Sequence, residues 1–314
     1  AMIIVATGLH HVMMTGPPGA GKTMLAERLP TILPDMSWDE RFETTRIHDV
    51  AGLLEKNTLI SRRPFRGPHH TATLASIIGG GSNAKPGEIT LAHNGVLFID
   101  EAPEFPRFIL DALRQPLESH TITVNRLQNS YEYPAKFICV LAANPCPCGY
   151  YGDPHKECVC SSTEFMKYQN KISGPILDRI DLYISVERPS FNDMLLINED
   201  SLSSSDMKDL VERGRNIQLE RFKDCTFKTN GSMPHRAIRE LCNIQDDCWN
   251  LLSDVYERFH FTGRSFDRLL KVSRTIADMD GSLYVEKEHI SEAMLYRHTP
   301  FHVSRIGDHD GTTV

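Results

Sequence analysis

No apolar run in this 314-residue chain reaches the roughly 18 residues that a membrane-spanning helix needs. The apolar start, Ala1-Met2-Ile3-Ile4-Val5-Ala6, also lacks the basic flank and cleavage site of an export signal. Positive charge is not in excess. The formal net charge is −7, so no global basic field draws the chain onto duplex DNA or anionic lipid. Any nucleic-acid contact has to come from local basic loops. No internal repeat is visible, which sets a repeat array aside. Cysteine is not spread as a disulfide framework would need. Of eight cysteines, Cys139, Cys225, Cys242 and Cys248 are scattered, and the other four crowd between positions 146 and 160. Without an export signal, this pattern reads as a reducing, cytoplasmic setting and a metal site.

What is present is an alternation of apolar strands with helical stretches over residues 1–190. His11–Thr15, Gly95–Ile99, Lys136–Ala143 and Asp181–Val186 read as buried strands, and Lys22–Leu29 and Pro106–Leu117 as helices. Such alternation predicts an α/β fold with a parallel sheet flanked by helices. Two stretches interrupt it. His48–Asn94 is long and rich in Gly, Pro and His, and Thr121–Phe137 reads as a hairpin with arms Thr121–Val124 and Tyr131–Tyr133. Insertions this long inside a compact domain usually carry function. Residues 191–205, with Ser201-Leu202-Ser203-Ser204-Ser205, read as a linker. Residues 206–303 follow as a smaller, all-helical lid, and 304–314 as a flexible tail. The expected lid helices are Met207–Phe222, Pro234–Cys242, Asp246–Phe261, Ser265–Met279 and Glu286–Arg297.

The strand His11–Thr15 runs into Gly16-Pro17-Pro18-Gly19-Ala20-Gly21-Lys22-Thr23, with Met24 next. This matches G-x-x-x-x-G-K-[ST], the P-loop pattern. Its glycines let backbone N–H groups surround phosphate oxygens, and the helix that follows adds its positive end. Lys22 is expected on the β- and γ-phosphates of ATP, and the Thr23 hydroxyl on Mg²⁺. A second strand, Val96-Leu97-Phe98-Ile99, ends in Asp100-Glu101. Asp100 is expected to hold Mg²⁺ through water, and Glu101 to act as general base on the attacking water. Asn144, at the end of a third strand, is placed to orient that water. Arg179, in Asp178-Arg179-Ile180-Asp181, reads as an arginine finger for a neighbouring subunit. In Gly263-Arg264-Ser265-Phe266-Asp267-Arg268, Arg264 is the preferred lid arginine reaching back to the γ-phosphate, with Arg268 as its competitor.

Cys146-x-Cys148, nine residues, then Cys158-x-Cys160 offers four thiolates from two short turns, which suits a structural, tetrahedral Zn²⁺. His155 is a possible substitute ligand. No general base or open coordination position accompanies the quartet.

These elements, in this order, resemble the AAA+ ATPases. The wording around them is narrower: Arg63-Pro64-Phe65-Arg66-Gly67-Pro68-His69-His70-Thr71, Gly79-Gly80-Gly81, Pro86-Gly87-Glu88 through Asp100-Glu101, Leu113-Arg114-Gln115-Pro116-Leu117-Glu118, Asn144-Pro145-Cys146-Pro147-Cys148-Gly149-Tyr150-Tyr151-Gly152, Lys171-Ile172-Ser173-Gly174-Pro175 and Leu270-Lys271-Val272-Ser273-Arg274-Thr275-Ile276-Ala277-Asp278. Together they resemble the ComM/YifB family of magnesium-chelatase-like AAA+ proteins, over nearly the whole chain. The resemblance implies a homo-oligomeric, hexameric ring with single-stranded or branched DNA in its pore and a branch-migration activity. It also implies that the two insertions line the pore. Lys85 in the first and Arg126 near the tip of the second are then the expected DNA contacts, with Arg62, Arg63, Arg66, His69 and His70 as further candidates. The His pair could instead pack against the nucleotide interface. Family members usually carry a domain resembling a Lon protease domain and a short segment before the P-loop that helps hold adenine. Here Gly16 follows only fifteen residues, so the expectation is an excised ATPase region with an incomplete adenine pocket. Two other readings stay open. One is a chelatase-type regulatory ATPase that drives metal insertion through partner subunits. The other is a nucleotide-controlled assembly switch.

Overall fold

The computed structural model describes residues 1–55, 58–81, 84–125, 130–189 and 202–297. At its centre lies a five-stranded parallel sheet. Its strands are β1 (Val12–Thr15), β2 (Phe65–Arg66), β5 (Val96–Ile99), β8 (Ile138–Ala143) and β9 (Leu182–Ser185), in spatial order β2-β5-β8-β1-β9. The four expected strands are all there, each trimmed by one or two residues at its ends. The fifth, β2, comes from the first insertion.

Side-chain alternation along each strand divides the core in two. Val12 and Met14, Val96 and Phe98, and Ile138, Val140 and Ala142 face one side. Met13, Leu97, Ile99, Cys139, Leu141 and Ala143 face the other. With both faces covered, each buried Val, Leu or Ile contributes about 2 kcal/mol. The first face packs the P-loop helix Lys22–Ile32, the N-terminal helix Met2–Gly8 and the lid. The apolar start is therefore core, with Ile4, Val5 and Ala6 buried. The second face packs the short helices Arg107–Ala112, Pro116–Ser119, Ser162–Gln169 and Gly174–Leu177. A single helix was expected over Pro106–Leu117. It is two, because Pro116 has no N–H to donate and can only begin a helix.

The first insertion is not one loop. It begins within the helix Trp38–Ala51, which Ser37 and Glu40 open with a reciprocal capping box and Gly52 closes in the left-handed conformation. It then supplies β2, the helices Leu74–Ile78 and Glu88–Leu91, and a small hairpin of β3 (Gly79–Gly80) and β4 (Lys85–Pro86). The second insertion is the hairpin of β6 (Thr121–Asn125) and β7 (Ser130–Pro134). The two meet: the Tyr133 hydroxyl donates to the Ala84 carbonyl at 2.6 Å. Arg126 and residues 191–201 and 304–314 lie outside the described residues.

The lid comprises helices Ser204–Arg221, His235–Leu241, Cys248–Arg258, Gly263–Met279 and Lys287–Leu295. A buried polar knot holds it together. Arg274, wholly buried, donates to Asp278 and to the carbonyls of Cys242, Ser282 and Leu283. Arg221 and Asn230 also reach Asp278. Among the described residues, no helix is long and apolar enough to cross a membrane.

Candidate functional site

Register fixes which residues meet at the C-terminal ends of the strands. Thr15 pairs with Ala143 and Ile99 with Leu141, so Gly16, Asn144 and Asp100 emerge side by side. The Gly16 N–H donates to the Ala143 carbonyl at 3.3 Å. The loop then turns through Gly19 (φ 78°) and Gly21 (φ 88°) into its helix. Left-handed backbone at both positions is open to glycine at little cost and makes an anion-binding concavity.

Lys22 folds across this loop. Its Nζ donates to the carbonyls of Gly16 (2.6 Å) and Pro17 (3.0 Å) and to Asn144 Oδ1 (3.2 Å). Burial pushes its ammonium below the ordinary lysine value, while Asp100 and Glu101 pull it back. Thr23 Oγ1 donates to Asp100 Oδ2 at 3.0 Å, and Asp100 Oδ1 accepts the Glu101 N–H at 2.9 Å. This hydroxyl–carboxylate pair has the chemistry of a hard, oxygen-ligated Mg²⁺ site. Glu101 itself is 58% exposed and sits at φ 48°. Met24, next to Thr23, is exposed, and Ala20 is buried beneath the loop.

The structure brings His69 and His70 to this end of the sheet. Their ring centroids lie 4.1 Å apart at a 35° tilt, and His70 Nδ1 lies 3.8 Å from Glu101 Oε2. A cleft of about 410 Å³ runs between them, Thr23 and Asp100. The His pair thus shares this cleft with Thr23, Asp100 and Glu101. Arg63 and Arg66 are not available as loop cations: Arg63 is tied to Glu40 and the carbonyls of Pro34 and Asn94, and Arg66 makes a two-pronged pair with Glu88. Arg62 and Lys85 remain exposed. Arg188, which the sequence did not single out, donates to the Pro18 carbonyl at 3.3 Å.

Arg179, Arg264 and Arg268 are at the other end. All three line a cavity of about 430 Å³ with His11 and Asp181, where β1 and β9 begin. The length of β1, about 13 Å, separates that cavity from the cradle. Arg179 is nearly buried, bonded to Glu118 and to the Pro175 carbonyl. Arg264 lies 3.6 Å from the same Glu118. Arg268 pairs with buried Asp181 and donates to the Asp178 carbonyl. Arg264, the preferred lid arginine, and Arg268, its competitor, thus both lie at the end of the sheet away from the cradle. The lid packs against the sheet's opposite end, and Arg268 is consumed in tying it there.

The cysteine quartet lies beside the cradle. One ligand atom from each of Cys146, Cys148, Cys158 and Cys160 falls within 4.8 Å of every other. Backbone N–H groups of Tyr151 and Cys148 donate to the sulfurs of Cys146 and Cys160, both at 3.3 Å. Burial works against the Cys148 thiolate, yet backbone N–H groups at Tyr150 and Val159 and the neighbouring thiols bring it down to about 6. Four convergent thiols with N–H···S support fit a soft tetrahedral ion.

Residues 1–194 match the family described as magnesium chelatase, subunit ChlI, and residues 201–297 match its C-terminal counterpart. The chain belongs to the magnesium-chelatase ChlI family. Within this family of AAA+ proteins it is ComM-like. It is 40% identical over 300 residues to the competence protein ComM of Haemophilus influenzae, covering 95% of this chain and 57% of that one. It is 40% identical over 294 residues to YifB of Escherichia coli, covering 94% and 57%. The magnesium-chelatase subunit ChlI of Euglena gracilis is 25% identical over 156 residues, 43% of this chain and 45% of that one. The chain thus spans somewhat over half the length of the ComM and YifB relatives. AAA+ membership implies ATP and Mg²⁺ as ligands, and an oligomer as the usual working form.

Proposed function

We propose that this ChlI-family chain hydrolyses ATP and couples the reaction to movement on single-stranded or branched DNA, working as a hexameric ring. One observation carries the hydrolytic reading: Thr23, Asp100, Glu101, Lys22 and Asn144 converge at one end of the sheet, while Arg179 and Arg264 converge at the other. One chain thus carries two half-sites that face away from each other, and a head-to-tail neighbour would join them.

Thr23 and Asp100 are the residues that would hold Mg²⁺, which when bound neutralises charge on the phosphates. Lys22 exchanges the Gly16 and Pro17 carbonyls for phosphate oxygens. Glu101 accepts the proton of the attacking water, and Asn144 orients that water. Arg179 and Arg264 come from the adjacent subunit, whose Glu118 releases them to the transferring phosphoryl group. Four thiolates, Cys146, Cys148, Cys158 and Cys160, would hold a structural Zn²⁺ with no position left for catalysis. The contact between Tyr133 and Ala84 supports a joint DNA-facing surface built from both insertions, with Lys85 on one and Arg126 on the other.

The test is ATP turnover and oligomer size with and without single-stranded DNA, with Glu101→Gln as the control. Turnover lost in Glu101→Gln and raised by DNA supports the reading. A hexamer that neither binds DNA nor responds to it would sink the motor. The family description and the Euglena match favour a second reading, a regulatory ATPase that drives metal insertion through partner subunits. Turnover indifferent to DNA but raised by such partners would establish it instead.

A further inference from the structure

The loop from Cys146 to Cys160 has almost no regular structure of its own, yet it is wedged against the phosphate cradle. Gly149, at φ 85°, packs so closely that a Cβ there would lie 2.7 Å from Pro18 Cδ and 3.9 Å from Asn144 Cγ. Only one residue, Pro145, separates Asn144 from Cys146, which is fully buried. Asn144 in turn holds Lys22. On the far side, Cys160 runs directly into Ser161, whose capping box with Glu164 opens the helix Ser162–Gln169. That helix carries Tyr168, which is buried and whose hydroxyl, pushed up by burial, is pulled back down by the nearby Asn144 backbone. The ring of Phe165, on the same helix, packs with its centroid 4.6 Å from that of Tyr151 within the loop, tilted by 43°.

The four thiols are therefore the point where three pieces are joined: the residue that contacts Lys22, the turn that touches Pro18 and the helix that backs Asn144. A fifteen-residue loop with few apolar contacts pays a large ordering entropy unless it is cross-linked. Four thiolates on one soft divalent cation supply that cross-link, because metal binding free energy becomes folding free energy.

We propose that the quartet takes one Zn²⁺ per chain and that the loaded knuckle braces the phosphate cradle, holding Asn144 and Pro18 where nucleotide binding requires them. Asn144 and Gly149 are then the positioning residues through which the metal acts. The proposal rests on the ATP-binding reading above and adds that nucleotide affinity depends on an ion that never touches nucleotide.

The experiment uses the full chain, loaded with zinc or stripped with a chelator, and titrated with a fluorescent ATP analogue. Metal analysis gives the stoichiometry. Co²⁺ in place of Zn²⁺ reports four-thiolate ligation through its thiolate charge-transfer absorption. One zinc per chain is expected, with affinity for the analogue falling on the order of tenfold on stripping. Should stripping unfold the protein, Gly149→Ala decides. It leaves all four thiols in place, so zinc should be retained while analogue affinity falls by a similar factor. Loaded protein that binds the analogue normally, but is indifferent to Gly149→Ala or to stripping with the fold intact, overturns the brace alone. So does a chain that binds nucleotide and takes up no zinc. Loaded wild-type protein that binds no nucleotide overturns the ATP reading, and the brace with it.

Discussion

The two ends of the central sheet are built on opposite principles. At the C-terminal ends of the strands, the hydroxyl and carboxylate groups lie toward solvent: Glu101 is 58% exposed, and Thr23 and Asp100 border an open cleft. At the N-terminal ends, charge is buried and tightly matched. Asp181 is wholly buried, accepts the His11 N–H at 2.8 Å, pairs with Arg268 and lies near His10, whose ring meets Thr275 of the lid at 2.8 Å. The first end can receive a ligand without rearranging its scaffold. The second fastens the lid and, in doing so, gathers nearly buried Arg179 and exposed Arg264 on a shared carboxylate, Glu118. On the proposed reading, each end supplies half of one hydrolytic site.

Separate variants at the two ends should give the largest effect. Glu101→Gln is expected to lower ATP turnover by about 10²- to 10⁴-fold through loss of the general base. Arg179→Ala is expected to lower it by about 10³-fold in the assembled protein. If the half-sites belong to neighbouring subunits, mixing the two inactive variants restores part of the turnover, because some junctions combine a sound Glu101 with a sound Arg179. A mixture as inactive as its parts would refute the division of the site between subunits.

The comparison sharpens along a single helix. Arg264 and Arg268 lie one turn apart on Gly263–Met279, yet only Arg268 is spent on a buried carboxylate. Arg268→Ala leaves Asp181 buried without its cation, which costs about 3–5 kcal/mol in denaturant unfolding. Arg264→Ala, at an exposed pair, should change stability by less than about 1 kcal/mol and act on turnover instead. Equal destabilisation by both variants would contradict the geometry.

That difference shows where sequence reasoning reaches its limit. The placement of the P-loop, Asp100-Glu101 and Asn144 at the ends of strands was legible because it follows local strand-to-turn grammar. The cysteine quartet was legible through its spacing. The placement of the lid was not, because it depends on long-range ties such as Arg268 to Asp181 and His10 to Thr275, which no local pattern encodes. Two helices, Trp38–Ala51 and Ser162–Gln169, escaped although each is preceded by a visible signal, Ser37-Trp38-Asp39-Glu40 and Ser161-Ser162-Thr163-Glu164. Trp38, Phe42 and Val50 on the first of them are exposed, so its apolar spacing pointed to no single buried face.

The smallest effect concerns pH, and the buried end contributes to it through His11 and Asp181. Burial pushes His11 down to about 3, against the pull of Asp181 and helped by Arg268, His120 and His10. Burial pushes the Asp181 carboxyl up, but Arg268 and His10 outweigh it and hold it well below the ordinary carboxylate range. Both folded-state values are depressed, so both contributions carry the same sign. The unfolded chain binds more protons than the folded one, and stability rises with pH across the window. His11 contributes fully above about 6.5 and loses that contribution as pH falls toward about 3. Asp181 adds a second loss below about 3.8. Unfolding free energy should therefore fall gently from pH 6.5 and more steeply below pH 4. His11→Asn keeps an acceptor for the Cys139 N–H, which now bonds His11 Nδ1 at 3.1 Å, but cannot titrate. It should make the upper part of the curve less steep, with His48, His93 and His120, also held down by burial, keeping the remainder, and leave the lower part in place. A wild-type curve already flat between pH 6.5 and 4 would mean that His11 is not held neutral by burial, and the contrast between a sealed end and an open end of the sheet would lose its electrostatic basis.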